Sequence, residues 1–295
     1  SFTYDTTAPT IAFTATKLDG VGNIGAAVNS GDTNNSDKLQ ITATVTEALS
    51  KPIVNFAVGD ITLNNNCSIE NDAFVSSNDN TGVYTFNIIP DNNDVTCTFS
   101  VAGGAFQDSA GNDNTASSTF TWNHDQVAPT VSVSAKKLDS NGNQNGDHAN
   151  NLTTNDPKIR VTFQLTGATA NLAITDITKS GCDLSAVEGF GSSSSTLKLD
   201  VTPADSDETC TLQIAAGVFQ DAAGNDNTAS EVFVWNHDSL APTMTITTDS
   251  QGASPLTSND NALNLIFTSS ENTNNFTKDD IDVTKDGVAL SGADK

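Results

Sequence analysis

The feature that most constrains this chain is an internal repeat. The segment QDSAGNDNTAS at 107–117 returns as QDAAGNDNTAS at 220–230, an offset of 113 residues. The flanks keep that offset: FTWNHD (Phe120 to Asp125) returns as FVWNHD (Phe233 to Asp238), and Cys97 returns as Cys210. A D-x-x-A-P-T linker occurs at Asp5, Asp125 and Asp238 and marks successive starts. Such a chain folds as a tandem series of similar units, each with its own core. The units span 6–124, 125–237 and 238–295, and residues 1–5 match the tail of a preceding unit. The third unit reaches Lys295 before its cysteines or its AGN loop. Both ends of the sequence are therefore expected to fall inside an array, with the third unit incomplete until more chain or a neighbouring molecule supplies the rest.

Within each unit the apolar residues alternate with polar ones, the period of a half-buried strand. Ile11, Phe13 and Ala15 alternate with Thr in a first strand, and Leu39, Ile41, Ala43 and Val45 lie in a second. Further strands are expected at 56–63, 83–89, 95–101 and 119–122. Abundant Asn, Asp, Ser, Thr and Gly disfavour helix and favour turns between strands. Seven or so short strands in about 113 residues fit an all-β immunoglobulin-like sandwich.

The cysteines fall one pair to a unit, Cys67 with Cys97 and Cys182 with Cys210, 30 and 28 positions apart. Metal sites use shorter spacings and more ligands, so disulfides in an oxidising compartment are the better reading, and buried thiol pairs are the alternative. Cys97 shares parity with Val95, Phe99 and Val101, and Cys210 with Leu212 and Ile214, which points both at the core.

The D-x-x-A-P-T linker, the Ser36-Asp37, Asn155-Asp156 and Asn259-Asp260 steps, the turn at Asp60, Asp176 and Asp280, and the AGxFxDxAGNxNxAS stretch together resemble bacterial Ig-like repeats of giant extracellular adhesins and biofilm-matrix surface proteins. That resemblance implies tandem Greek-key sandwiches on a secreted surface protein. Two departures stand out. Cys67 and Cys182 follow the third strand, and Trp122 and Trp235 lie in the last one, unlike the antibody pattern.

In such a sandwich the loop between the last two strands lies at the end where the domain begins. Asp5 is then expected near Asp108 and Asn112, and Asp125 near Asp221 and Asn225, with Asp238 opening the third unit. Glu47 and Glu271 add a carboxylate at the same end, where the second unit has Gly167. Crowded carboxylates repel unless a hard cation neutralises them, and Ca²⁺ takes six to eight oxygen ligands. A structural Ca²⁺ at each joint is one expectation, with affinity of about 10⁻⁴ to 10⁻³ M as in extracellular modules. The other is that these side chains serve only to cap turns. A second candidate is LDSNGNQNGD, where Asp139, Asn141, Asn143, Asn145 and Asp147 occupy alternate positions as in the start of an EF-hand-type loop, without the closing Glu. A solvated loop is the alternative there.

A formal net charge of -24 opposes nucleic acid and anionic lipid as partners. No apolar run is long enough to span a membrane, so direct insertion is not expected. Gly20, Gly22 and Gly25 satisfy G-x-G-x-x-G, but AAVNSGDTNN follows in place of a helix, so no dinucleotide site is read. His124 and His237 recur beside the linkers, and no nucleophile, base and orienter stand together, so catalysis is not expected. Asn34, Asn66, Asn151 and Asn275 open N-x-S/T sequons, which matter only in a glycosylating source.

These readings converge on an extracellular structural or adhesive array, a calcium-stiffened stalk whose first partners are neighbouring repeats of its own chain. The alternatives are a self-assembling filament or sheath, with other copies as partners, and calcium-dependent binding of host or matrix glycan.

Overall fold

Alternation places one face of each strand in a core. In β1 (Thr10–Leu18) Ile11, Ala15 and Leu18 are buried, and in β4 (Lys38–Thr46) Leu39, Ile41, Ala43 and Val45 are buried while Gln40, Thr42 and Thr44 turn outward. The computed structural model describes residues 4–19, 21–47, 53–139, 141–248, 263–285 and 288–289. The first unit adds β2 (Ile24–Val28), β3 (Thr33–Asn34), β5 (Ile61–Leu63), β6 (Cys67–Ile69), β7 (Ser76–Asn78), β8 (Val83–Pro90), β9 (Asp94–Val101) and β10 (Phe120–Asp125). One sheet runs β2-β1-β4-β8-β6, with β7 also on β8, and the other runs β3-β10-β9-β5. Among the described strands of this unit, only β3 pairs in parallel, against β10. Taking β1, β4, β5, β6, β8, β9 and β10 as strands A to G gives A-B-E-D facing C-F-G, the immunoglobulin-like Greek key.

The second unit repeats the plan. It comprises β11 (Thr130–Leu138), β12 (Gln144–His148), β13 (Leu152–Thr154), β14 (Ile159–Thr166), β15 (Ala170–Asn171), β16 (Ile177–Ser180), β17 (Cys182–Glu188), β18 (Ser193–Ser194), β19 (Thr196–Pro203), β20 (Asp207–Ile214) and β21 (Phe233–Asp238). Its sheets are β12-β11-β14-β19-β17 and β13-β21-β20-β16. Each core carries its Trp fully buried, Trp122 in one and Trp235 in the other. Phe13 meets Phe99 edge to face at 5.1 Å. Burial of each such side chain contributes roughly 1.5–3 kcal/mol.

Residues 238–295 form a separate unit. Its β22 (Met244–Thr248) pairs antiparallel with β23 (Leu265–Ser269), and β24 (Thr284–Lys285) pairs with β25 (Val288–Ala289). Ile246, Leu265 and Ile266 are exposed, and Phe267 rests against Phe276 with ring centroids 5.5 Å apart.

The strand expected over 56–63 is shorter, because a carboxylate folds its first half into a turn. Asp60 accepts the Ala57 N–H at 2.8 Å and closes a 3₁₀ turn at Val58–Asp60, leaving only β5 extended. Asp176 does the same with Ala173, and Asp280 with Thr277, each at 2.8 Å. The shared turn motif is therefore a backbone cap.

Cys182 on β17 and Cys210 on β20 form a disulfide that ties the two sheets, with Cα atoms 5.3 Å apart. Cys67 and Cys97 occupy the matching strands but are buried thiols, which departs from the second expected disulfide. Two local differences accompany this. The Cys67 thiol donates to Asn64 Oδ1 at 3.4 Å, and β6 holds three residues where β17 holds seven. The neighbouring Cys67 thiol, together with burial, pushes the Cys97 thiol up.

Candidate functional site

A single local structure occurs four times among the described residues. Asp19, Asp108, Asp139 and Asp221 each begin D-x-x-G-N. The aspartate Oδ1 accepts the N–H of the residues two and four positions on, at 2.8–3.0 Å, in the pairs Val21 and Asn23, Ala110 and Asn112, Asn141 and Asn143, and Ala223 and Asn225. The asparagine amide returns to Oδ2. The glycine has positive φ, +87° at Gly111 and +96° at Gly224, a conformation that side chains oppose. Its signal in the sequence is the five-residue spacing itself.

Hydrogen bonding to these carboxylates stabilises their charged form. Asp19 and Asp139 are held below the usual range by the backbone N–H groups of Asn23 and Asn143. At Asp221 burial pushes the carboxyl up, but the Asn225 side chain and the N–H groups of Asn225, Gly224 and Ala223 outweigh it.

The copies between strands F and G do more. Asn112 Nδ2 also donates to the Asp5 carbonyl at 3.3 Å, and Thr115 N–H donates to the Pro9 carbonyl at 3.0 Å, so the AGN loop holds the linker that enters its own unit. Asp5 stays in place by accepting the Thr7 N–H at 2.9 Å. Glu47 follows β4 and is 8% exposed, while Asp108 is 1% exposed. One carboxylate oxygen each from Asp5, Glu47 and Asp108 lies within 4.8 Å of the other two. Two unit charges at that distance repel by about 3.5 kcal/mol at an effective dielectric constant of ~20.

At the second linker, Asn225 Nδ2 donates to the Asp125 carbonyl at 2.9 Å and to Asp221 Oδ2 at 2.9 Å. Asp125 accepts the Val127 N–H at 2.9 Å. Gly167 stands where the first unit has Glu47, so the third carboxylate is missing. Direct polar contacts hold this joint instead. Gln126 Nε2 donates to the Asn35 carbonyl at 3.2 Å and to Asp37 Oδ1 at 2.7 Å, and the Gly224 turn lies against Asn35. In the third unit Asp238 accepts the Leu240 N–H at 3.1 Å, and Glu271 is exposed after β23. Among the described residues, these two join no group of three ligands.

The alternating series from Asp139 to Asp147 is divided between a turn and a strand. The Asp139 carboxylate is taken by the amides of its own turn, including Asn141 and Asn143. Asp147 lies on β12 and pairs with Lys136 across the hairpin. Ser140 lies outside the described residues.

His124 and His237 are buried, and their rings meet Trp122 and Trp235 with centroids 5.2 and 5.3 Å apart. Burial lowers the His124 pKa against the opposing pull of Asp125, Asp37 and Asp94, and burial also lowers that of His148. Both tryptophans are 0% exposed, so neither is a platform for stacking a sugar. Asn34, the first sequon residue, is also buried.

No protein-family model matches the chain, and no curated protein sequence matches it. Among solved structures it is similar to FdeC, described as a novel, broadly conserved Escherichia coli adhesin eliciting protection against urinary tract infections. The identity is 11%, over 82% of this chain and 67% of that one, with a TM-score of 0.30. That score is too low for the likeness to bear on what this chain does.

Proposed function

We propose that this chain is part of an extracellular, non-catalytic repeat array with a structural and adhesive role, a stalk in which one joint is set by Ca²⁺. The observation that carries the reading is the meeting of Asp5, Glu47 and Asp108 where a linker enters its repeat. Three carboxylates from a linker, the end of strand B and the F–G loop are hard oxygen donors of the kind Ca²⁺ prefers. Bound there, the ion would neutralise their repulsion and fasten the linker to both sheets. The inter-sheet disulfide supports an oxidising, extracellular setting. Because the second joint has Gly167 in place of the third carboxylate, the reading assigns one Ca²⁺ to the first repeat and none to the joint between repeats one and two.

Calorimetric titration of the intact chain tests this. One equivalent of Ca²⁺ bound in the range of about 10⁻⁴ to 10⁻³ M is expected. Absence of uptake, or uptake unchanged by Glu47→Gln, would remove the calcium from the account.

A further inference from the structure

The molecule carries the same unfilled feature in both complete repeats. In repeat one, β2 pairs with β1 only from Ala15 onward, so among the described residues Thr10 to Thr14 have β4 on one side and no strand on the other. The register identifies the main-chain groups that face outward. Val45 gives its N–H to the Gly82 carbonyl, on the side away from β1. Its cross-strand partner Ile11 therefore turns N–H and C=O away from β4, and by the two-residue period so does Phe13. Repeat two matches it: Leu165 gives its N–H to Ser195, so its partner Val131, and with it Val133, point their main-chain groups outward. Among the described residues, no hydrogen bond to the outward N–H and C=O groups of these four residues is formed.

A cleft opens beside each of these edges, between strand A and the approach to strand G. In repeat one it measures about 360 Å³ and is floored by Ile11, Phe13, Ala15, Val28 and Phe120, all buried or partly buried. In repeat two it measures about 500 Å³ and is floored by Val133, Ala135, His148 and Phe233. An apolar floor beside unpaired, alternate main-chain groups is the arrangement that accepts an added β-strand. Five free residues at ~3.3 Å each give an edge of about 17 Å, enough for a short extended peptide. The formal net charge of -24 disfavours a second copy of this chain as occupant and favours a positively charged one.

We infer that the A–G clefts of repeats one and two are docking sites for an extended, basic segment of another protein, added as a strand to β1 and β11. The inference is independent of the calcium reading.

The probe is a synthetic peptide of alternating valine and lysine, with a copy N-methylated at alternate residues as control. Hydrogen exchange on the intact chain is expected to show the amides of Ile11, Phe13, Val131 and Val133 at least about tenfold slower when the peptide is present. The methylated copy should give no protection. Ala27→Trp and Ala149→Trp, both at exposed positions lining the clefts, should each abolish protection in their own repeat only, leaving the other as an internal control of folding. Protection that survives N-methylation, peptide uptake without protection at these four amides, or self-association of the chain in place of peptide binding would each overturn the inference.

Discussion

Replacing Glu47 by Gln should change the stability of repeat one in opposite directions with and without calcium. Glu47 shares a space of 4.8 Å with Asp5 and Asp108. At 4.8 Å, the outer limit of these distances, each pair repels by about 3.5 kcal/mol at an effective dielectric constant of ~20 and by about 0.9 kcal/mol in bulk water. Glu47 and Asp108 are buried while Asp5 is partly open to solvent, so the true cost lies between these bounds. Glu47→Gln keeps the shape and removes two of the three repulsions. In chelator the variant should gain about 2 kcal/mol, a rise of roughly 5–10 °C in the midpoint of repeat one. In millimolar calcium the order reverses, because the wild-type chain then gains binding free energy that the variant has lost. Each complete repeat contains one tryptophan, so melts followed by fluorescence in Trp122-only and Trp235-only backgrounds separate the two units. A variant less stable than wild type in chelator would refute the reasoning, since it would mean that Glu47 makes a net favourable contact without any ion.

Reducing the Cys182–Cys210 bond, or replacing Cys182 by Ser, should destabilise repeat two by about 2–5 kcal/mol, read as a fall in its urea midpoint with repeat one unchanged. Thr154 Oγ1 accepts from Trp235 Nε1 at 3.0 Å, so Thr154→Val leaves a buried donor unpaired and should cost about 1–3 kcal/mol. Gly224→Ala forces a side chain into a φ of +96° and should cost about 1–2 kcal/mol, measured by denaturant unfolding of repeat two. His124 and His148 have folded pKa values below the unfolded value of about 6.5. Their neutral forms are the ones that folding favours, so stability is full above about pH 6.5 and declines as pH falls from there toward the folded values. His148→Val, which installs the residue that repeat one has in Val28, should remove part of that decline in repeat two and leave its pH 7.5 midpoint little changed.

Much of this architecture is legible in the residues because it rests on periodicity. Leu39, Ile41, Ala43 and Val45 specify a face, and 120 residues on the same face returns as Ile159, Val161, Phe163 and Leu165. The meeting of Asp5 with the AGN loop follows from topology, since strands A and G of one sandwich share an end with the F–G loop. Short-range hydrogen bonding is harder to read. The alternating oxygens from Asp139 to Asp147 look like one ligand series, yet the Asp139 carboxylate accepts the amides of its own turn, and the pleat of β12 carries Asp147 to Lys136. Asp60 likewise lies in a stretch that reads as strand, and a single capping bond turns it into a 3₁₀ turn. The state of Cys67 and Cys97 is not set by spacing either, because their 30-residue separation is close to the 28 of the bonded pair.

The most direct test of the calcium-set joint is diffraction from crystals of the intact chain grown in millimolar calcium, using the anomalous signal of the ion. One calcium is expected within about 2.3–2.6 Å of oxygens from Asp5, Glu47 and Asp108, and none beside Asp125 and Asp221. A cluster holding only water at saturating calcium, or an ion at the second joint and not the first, would contradict it.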